Sequence, residues 1–240
     1  MAASDSITID ARHEPVTAVP TRTAVIVVDM QNDFSTAGGM FERAGIDISG
    51  IRAAIEPTGR LIDAARSAGM RIVYLKMGFL ADLSDSGAPN APNWRKHSLF
   101  NVGQNVTAPD GTASRILIRD TWNSAIIDEL TPHPGDLVVW KHRFSGFFET
   151  ALHHLLQADG IDTLLFVGAT TSICVESTVR DAMYRDYHCM IIEDCVAEPI
   201  GQDLPRSSHD ASLLALQLLF GSITNSVAVH NALATLVPAG

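Results

Sequence analysis

Short apolar runs that end in a polar or glycine residue recur along the chain and constrain its fold more than any other feature. They are AVIVVD (24–29), RIVYLK (71–76), DLVVWK (136–141), TLLFVG (163–168) and CMIIED (189–194). Each run is apolar at consecutive positions, which is typical of a strand that is buried on both faces. Strands of this kind occur in parallel sheets that helices cover.

Segments of helical period separate these runs. IRAAIEPTGRLIDAARSAG ends at Gly69 and FFETALHHLLQADG ends at Gly160, and glycine is favoured just after the end of a helix. CVESTVRDAMYRD and RSSHDASLLALQLLF follow the last two runs, and a short strand near GSITNS precedes a C-terminal helix. The alternation predicts a single α/β domain: a three-layer α/β/α fold with a doubly wound, mostly parallel sheet of about six strands.

The composition favours a protein that acts on small molecules. Its 17 Lys and Arg against 27 Asp and Glu give a net charge of −10 without a dense basic run, so we expect neither nucleic acid nor membrane as a partner. The start MAASDSITIDARHEP lacks the features of a secretory signal, which favours the cytoplasm. Three cysteines without CxxC spacing favour free thiols over disulfides or a zinc ribbon.

Three reactive side chains lie at or just beyond the ends of predicted strands. Asp29 and Lys141 end their runs, and Cys174 follows a short turn after TLLFVG, at the start of a helix. Taken alone, Asp29 could cap a turn, Lys141 could extend into solvent and Cys174 could fill the core. Ligands of open parallel sheets bind at the carboxyl ends of the strands, so all three are expected to converge. Their coincidence on one edge favours a catalytic thiol.

The expected chemistry is nucleophilic attack by Cys174. A helix N-terminus and the Lys141 ammonium would lower the pKa of the thiol below its usual value of roughly 8.5. Asp29 would accept the thiol proton and later return it to a leaving nitrogen. Asp33 lies beyond the strand end and is expected to organise the loop, while Cys189 and Cys195 are expected to belong to the core.

Residues 77–113 interrupt the alternation with Gly, Pro, Asn and Ser and a few isolated aromatic residues. The segment is too long for an ordinary connection and too aromatic for a free linker, so we interpret it as a lid over a pocket. The alternative is a surface excursion that is packed by its own aromatic residues.

The segments VIVVDMQNDF, KHRFSGFFET and GATTSICVESTVRDA together resemble the three signature segments of the isochorismatase-like cysteine hydrolases, from about residue 20 to 235. The resemblance implies a catalytic triad of Asp29, Lys141 and Cys174, and a cis peptide between Ala169 and Thr170. It also implies an oxyanion hole made by the backbone N–H groups of Thr170 and Cys174. It divides the chain into an N-terminal extension (1–20) and a hydrolase domain (21–240).

Within that family, PGDLVVWKHRFSGFF and CVESTVRD are most similar to ureidoacrylate amidohydrolases, with biuret and other N-carbamoyl amide hydrolases next. The resemblance implies hydrolysis of a linear amide or ureido C–N bond through a thioester on Cys174. Met77 and Phe144 stand where that branch is expected to present polar residues, so we expect a less polar pocket. No cofactor is implied, and YLKMGFLADL lacks the Asp-x-His pair of the nicotinamidase branch, so no metal is expected.

Three alternatives to this function remain. The first is a vinyl ether hydrolase of the true isochorismatase type, which the presence of Cys174 disfavours. The second is a nucleotide-binding module, which is disfavoured because no GxGxxG motif follows the first run. The third is a non-catalytic domain. Five aromatic residues are expected to line the pocket, although each could instead belong to the core: Phe34, Phe79, Trp94, Trp122 and Phe144.

The apolar C-terminal stretch SVAVHNALATLVP and the family resemblance predict a homodimer or homotetramer.

Overall fold

A six-stranded parallel sheet is the centre of the computed structural model, which describes residues 6–236. The strands are β1 (Ile7–Ile9), β2 (Val16–Ala18), β3 (Thr23–Val28), β4 (Arg71–Met77), β5 (Asn105–Thr107), β6 (Ala113–Arg115), β7 (Leu137–Lys141), β8 (Thr163–Ala169), β9 (His188–Ala197) and β10 (Ser222–Thr224). The helices are α1 (Asn32–Ser35), α2 (Met40–Arg43), α3 (Ser49–Ser67), α4 (Pro92–Ser98), α5 (Leu152–Ala158), α6 (Glu176–Met183), α7 (Ser208–Leu219) and α8 (Ser226–Ala234).

The order of strands in the sheet is β10-β9-β8-β3-β4-β7, and every neighbouring pair is parallel. From β3 the chain moves outward through β4 to β7, and it then returns to the other side of β3 with β8. The order therefore reverses between β3 and β8, which is where ligands bind in open α/β sheets. The predicted doubly wound sheet of about six strands is confirmed.

The two faces of the sheet carry separate apolar cores. Val25 and Val27 of β3 pack in one core with α3 and α8, whereas Ala24, Ile26 and Val28 pack in the other with α5, α6 and α7. Because successive side chains of a strand point to opposite faces, a strand covered on both sides must be apolar at every position. This is why AVIVV is uninterrupted, and it gives the predicted three layers.

The N-terminal segment forms an antiparallel pair of short strands, β1 and β2, on the α8 side of the molecule. Ile7 and Ile9 are fully buried in the same core as α3, and the Arg12 N–H donates to the Ile223 carbonyl at 2.9 Å. Part of the 1–20 extension therefore packs on the domain. The boundary at residue 21 stays a prediction, and residues 1–5 lie outside the described part of the chain.

The segment 77–113 has structure of its own. It holds the short helix α4 and the strand β5, which pairs with β6 in a two-stranded antiparallel sheet. Lys96, His97, Leu99 and Phe100 reach the pocket beside the end of the sheet. The segment thus forms one wall of that pocket, and its action as a lid stays a prediction.

Candidate active site

The topology brings the three reactive residues of the sequence to one point. Asp29 follows β3, Lys141 is the last residue of β7, and Cys174 lies in a π-helical turn, Thr171–Val175, between β8 and α6. Met77, the last residue of β4, lies between Asp29 and Lys141 in the order of strands and is the register partner of Lys141.

Lys141 bridges the other two residues. Its ammonium nitrogen Nζ is 2.7 Å from Asp29 Oδ2 and donates to Cys174 Sγ at 3.3 Å and to the Arg143 carbonyl at 3.3 Å. The side chains of Lys141 and Asp29 are 0% and 1% exposed, and Cys174 is 8% exposed. A fully buried lysine is rare unless it is paired, and here the carboxylate is its partner. The three groups form one coupled acid, base and thiol cluster.

Burial controls the proton equilibria of this cluster. Desolvation raises the pKa of the Cys174 thiol to about 12, although the Lys141 ammonium acts in the opposite direction. Desolvation also raises the pKa of Asp29, against the opposing charge of Lys141. For Lys141, burial acts to lower the pKa, but Asp29 and Cys174 outweigh it and hold the pKa above its usual value. The expectation of a lowered thiol pKa is therefore wrong for the resting protein, because desolvation exceeds the attraction of one ammonium.

The raised pKa values favour attack coupled to proton transfer. The thiol lies within hydrogen-bonding reach of the Asp29 carboxyl. A carboxylate whose pKa is raised is a stronger base than a solvated one, so Asp29 is suited to take the thiol proton as sulfur attacks. Lys141 remains charged beside the sulfur and offsets the negative charge that develops there.

The backbone around Cys174 is fixed by close packing and side-chain hydrogen bonds. Gly168 has φ +110°, and a Cβ at that position would collide with the Val28 carbonyl of the neighbouring strand. The Ala169–Thr170 peptide is cis, as the family resemblance implies. The Thr178 hydroxyl donates to the Cys174 carbonyl at 2.6 Å and accepts from the Gly146 N–H at 3.0 Å.

Two residues beyond β9 hold the turn that carries the thiol. Glu198 Oε2 accepts from the backbone N–H of Ser172 at 2.9 Å and from its hydroxyl at 2.5 Å. The Thr171 hydroxyl lies 2.9 Å from His209 Nδ1. These contacts were missed in the sequence, because nothing in the pattern of residues 198–209 indicates which side chains point back toward the turn.

Gln31 is a third positioning residue that the sequence pattern did not reveal. Its amide nitrogen donates to the carbonyls of Met77 and Ser124 at 2.9 and 2.8 Å, and its oxygen accepts from the Met77 N–H at 2.7 Å. The available signal was its place two residues after Asp29, just beyond the apolar run 24–28. Asp33, expected to organise the loop, does accept from the N–H groups of Met40 and Leu117, at 2.9 and 2.7 Å.

A cavity of about 370 Å³ opens above this cluster. Its catalytic edge consists of Asp29, Thr170 and Cys174, and most of its remaining wall is apolar. Three residues that were expected in the pocket, Phe34, Met77 and Phe144, line it. The wall is apolar, as expected, and it also includes Met40, Phe41, Leu117, Ile173 and Ile200.

Three other residues that were expected in the pocket lie outside its wall, which corrects that expectation. Phe79 is fully buried behind His97, with the two rings in edge contact at 5.1 Å. Trp94 lines a separate surface cleft beside Arg143. Trp122 begins a short 3₁₀ turn, and its carbonyl accepts from the Asn32 side chain at 2.8 Å. Side-chain direction in irregular segments depends on tertiary contacts, which a local pattern does not specify.

Within residues 6–236 no three His, Cys, Asp or Glu side chains are grouped so that they would hold a metal ion. Over the same residues, no helix combines the length and apolarity needed to cross a bilayer.

The fold and the site define an α/β protein with a buried Asp, Lys and Cys cluster at the switch point of its sheet. The Isochorismatase domain matches residues 23–227, and the chain belongs to that family. The chain is 44% identical over 188 residues to "Ureidoacrylate amidohydrolase RutB" of Agrobacterium fabrum, covering 78% of this chain and 81% of the relative. It is 38% identical over 230 residues to the protein of the same name from Methylorubrum extorquens, covering 96% and 90%.

Solved structures agree with this family assignment. A cysteine hydrolase from Pseudomonas syringae pv. phaseolicola superposes with a TM-score of 0.75 at 28% identity, covering 98% of this chain and 100% of that chain. N-carbamoylsarcosine amidase from Thermoplasma acidophilum superposes with a TM-score of 0.62 at 26% identity, covering 85% and 96%. The expected resemblance to isochorismatase-like cysteine hydrolases is thus confirmed.

Proposed function

We propose that this protein is a cysteine amidohydrolase that cleaves a linear amide or ureido C–N bond of a small molecule, with a ureidoacrylate-like compound as substrate. The observation that carries the proposal is the bridge that Lys141 makes between Asp29 and Cys174 at the floor of a cavity. The names of the relatives, ureidoacrylate amidohydrolases, support the ureido class of substrate.

The first half of the reaction forms a thioester. Cys174 Sγ attacks the substrate carbonyl carbon while its proton passes to Asp29, and the carbonyl oxygen becomes an oxyanion. The backbone N–H groups of Thr170 and Cys174 bind that oxyanion, and each such donor is worth about 3 kcal/mol in acyl transfer. Asp29 then returns the proton to the departing nitrogen as the C–N bond breaks.

The second half of the reaction releases the product. Asp29 is again a carboxylate after it has protonated the leaving group, so it takes a proton from water as the water attacks the thioester carbon. The C–S bond breaks, the thiolate recovers the proton and the cluster returns to its first state. Lys141 stays protonated throughout, because its raised pKa keeps it charged beside Asp29.

Biuret and other N-carbamoyl amides form the alternative substrate class. The structural similarity to N-carbamoylsarcosine amidase supports a carbamoyl group at the reacting end of the substrate. Cleavage of a vinyl ether and a non-catalytic role both leave the buried Asp29, Lys141 and Cys174 cluster without a purpose.

The proposal includes a cytoplasmic location, a lid at residues 77–113 and self-association as a homodimer or homotetramer. Only part of the C-terminal stretch supports self-association: Val229, Ala232 and Leu233 of α8 are buried on their own domain, whereas Val227 is 62% exposed. The larger exposed apolar group is on α7, where Leu218 and Leu219 are 66% and 77% exposed. Exposed leucines at this density favour an interface.

The test is an ammonia-release assay over ureido acids, biuret, nicotinamide and primary amides with the wild type, Cys174→Ala and Cys189→Ala. Cys189 is a matched control because it is a buried thiol at the N-terminal end of β9, where its hydrogen-bond partners are the carbonyls of Val179 and Tyr187. We expect the Cys174 variant to lose at least ~10³-fold in kcat, as removal of a nucleophile does, while the Cys189 variant retains most activity. Cys174→Ala turnover above a few per cent of wild type would refute the nucleophile.

A further inference from the structure

Asp33 is a fully buried carboxylate that the proposed catalytic cycle does not use. It lies in α1, and it accepts hydrogen bonds from residues of other segments of the chain. Its Oδ1 accepts from the Met40 N–H at 2.9 Å and from the side-chain amide of Asn123. Its Oδ2 accepts from the Leu117 N–H at 2.7 Å. One carboxylate therefore joins α1 to the start of α2 and to the segment that follows β6.

All three donors are neutral, so the charge of the acceptor determines how strongly they are held. Burial raises the pKa of Asp33 to about 6, although its three hydrogen bonds act in the opposite direction. The carboxyl group is therefore ionised at neutral pH, and an ionised carboxylate accepts at both oxygens. An asparagine in its place would present its own amide N–H to one of these donors, which would then be buried and unpaired.

Two of these partners line the cavity above Cys174. Met40 and Leu117 both belong to its wall, and so does Phe34, which follows Asp33 in α1. Met40 is the first residue of α2, and the residue before it is a glycine without a side chain to cap the helix. Leu117 has φ +52°, in the left-handed region that is unfavourable for a leucine. Both N–H groups thus lie where regular secondary structure supplies no acceptor, and Asp33 supplies it.

The hydrogen bonds of Asp33 are separate from those of the catalytic cluster. Lys141 Nζ lies 2.7 Å from Asp29 Oδ2 and donates to Cys174 Sγ at 3.3 Å. The three hydrogen bonds of Asp33 all go to other residues. A change at Asp33 is therefore expected to displace the wall of the cavity and to leave the thiol, its base and its cation in place.

We propose that Asp33 is a positioning residue that gives the protein its selectivity for the uncleaved part of the substrate. Its carboxylate fixes Met40 and Leu117, and these side chains pack against the atoms beyond the ureido group. In a ureidoacrylate-like compound those atoms include the unsaturated carbons that join the ureido nitrogen to the carboxylate, and burial of such carbons against an apolar wall favours binding. The inference rests on the proposed function, which it deepens by assigning a residue that determines substrate selectivity.

Steady-state kinetics of Asp33→Asn with ureidoacrylate measures the effect on the substrate. We expect KM to rise about three- to tenfold and kcat to change by less than about threefold, because the wall contributes to binding and not to the chemical step. Asn123→Ala is the matched control. It removes one donor to Asp33 but keeps the backbone bonds to Met40 and Leu117, so its KM should stay within about twofold of wild type.

Alkylation of Cys174 gives a second measurement that needs no turnover. Iodoacetamide is small, whereas its N-phenyl derivative iodoacetanilide places a ring in the cavity, so the ratio of their rates reports the fit of the wall. In Asp33→Asn we expect the iodoacetanilide-to-iodoacetamide ratio to fall at least about threefold, with the iodoacetamide rate within about twofold of wild type. Leu117→Ala should lower the same ratio, and Asp33→Asn should add little in that background, because the two changes act through one contact.

Thermal unfolding checks that each variant is folded. Leu117→Ala keeps the carboxylate and its backbone partner, so its alkylation ratio provides the test if Asp33→Asn does not fold. The inference is overturned if KM for ureidoacrylate or the alkylation ratio is unchanged in the folded variant, or if kcat falls by more than KM rises. Failure of the proposed function gives a different result: the wild type would release no ammonia from ureidoacrylate, while the alkylation ratio would still depend on Asp33.

Discussion

The ion pair between Asp29 and Lys141 makes the protein sensitive to loss of either charge. The two side chains are almost completely buried, and 2.7 Å separates Lys141 Nζ from Asp29 Oδ2. Asp29→Asn keeps the size of the side chain but leaves the ammonium without its counter-charge. Breaking a buried pair by removing one partner costs about 3–5 kcal/mol, because the other charge stays desolvated.

A matched double variant separates charge from shape. In Asp29→Asn/Lys141→Met both charges are absent, so we expect the double variant to be more stable than Asp29→Asn alone. Urea unfolding followed by circular dichroism measures the difference. For a denaturant slope of about 2 kcal/mol per molar, the midpoint of Asp29→Asn should fall by roughly 2 M relative to wild type.

The pH dependence of that loss identifies its cause. In wild type Asp29 holds the pKa of Lys141 above its usual value, whereas in Asp29→Asn burial would lower it. At a pH between the two pKa values, Lys141 binds a proton in the unfolded variant but not in the folded one. The free energy of unfolding of Asp29→Asn should therefore rise with pH until the pH reaches the usual pKa of lysine. Equal midpoints for wild type and Asp29→Asn, or a loss that does not change with pH, would refute the reasoning.

Three further predictions concern the thiols, metals and assembly. Iodoacetamide at neutral pH should modify Cys174 before Cys189 or Cys195, since Cys174 alone of the three lines the cavity beside a base, and peptide mapping reads the order. Prolonged EDTA treatment should leave the rate unchanged, and recovery of a lost rate by added zinc would contradict this. Sedimentation should give a multiple of the 25.8 kDa chain, with Leu218→Lys shifting it toward the monomer, and a monomeric wild type would contradict self-association.

The sequence predicted the central sheet because the burial of each strand determines the residues of that strand alone. Strands buried on both faces must be apolar at consecutive positions, so the five runs were recognisable. The short strand at Ser222–Thr224 has only one apolar residue, and ordinary α/β loop lengths predicted it instead. The ends of those strands located Asp29, Lys141 and Cys174, because parallel strands share one carboxyl edge. Their actual distances depend on the order of strands, which follows from the long-range packing of the helices.

The parts that were missed depend on contacts between distant segments. The hairpin of β1 and β2 is made of strands too short to show a period, and burial of Ile7 against α8 is what stabilises it. His97, which lies on the short helix α4 and lines the cavity, was missed because only the aromatic residues of segment 77–113 were expected to line the pocket. The thiol pKa was misjudged because sequence position indicates a nearby cation but not the depth of burial that outweighs it.

The central claim is that Cys174 carries the substrate as a thioester during turnover. Rapid acid quench of the reaction, followed by peptide mass spectrometry, measures this most directly. The account predicts an acyl or carbamoyl adduct on the peptide that contains Cys174 in wild type, and no adduct in Cys174→Ala. The account would be contradicted if turnover in oxygen-18 water labelled the product but no quench of wild type or Asp29→Asn yielded an adduct. That result would indicate direct attack by water.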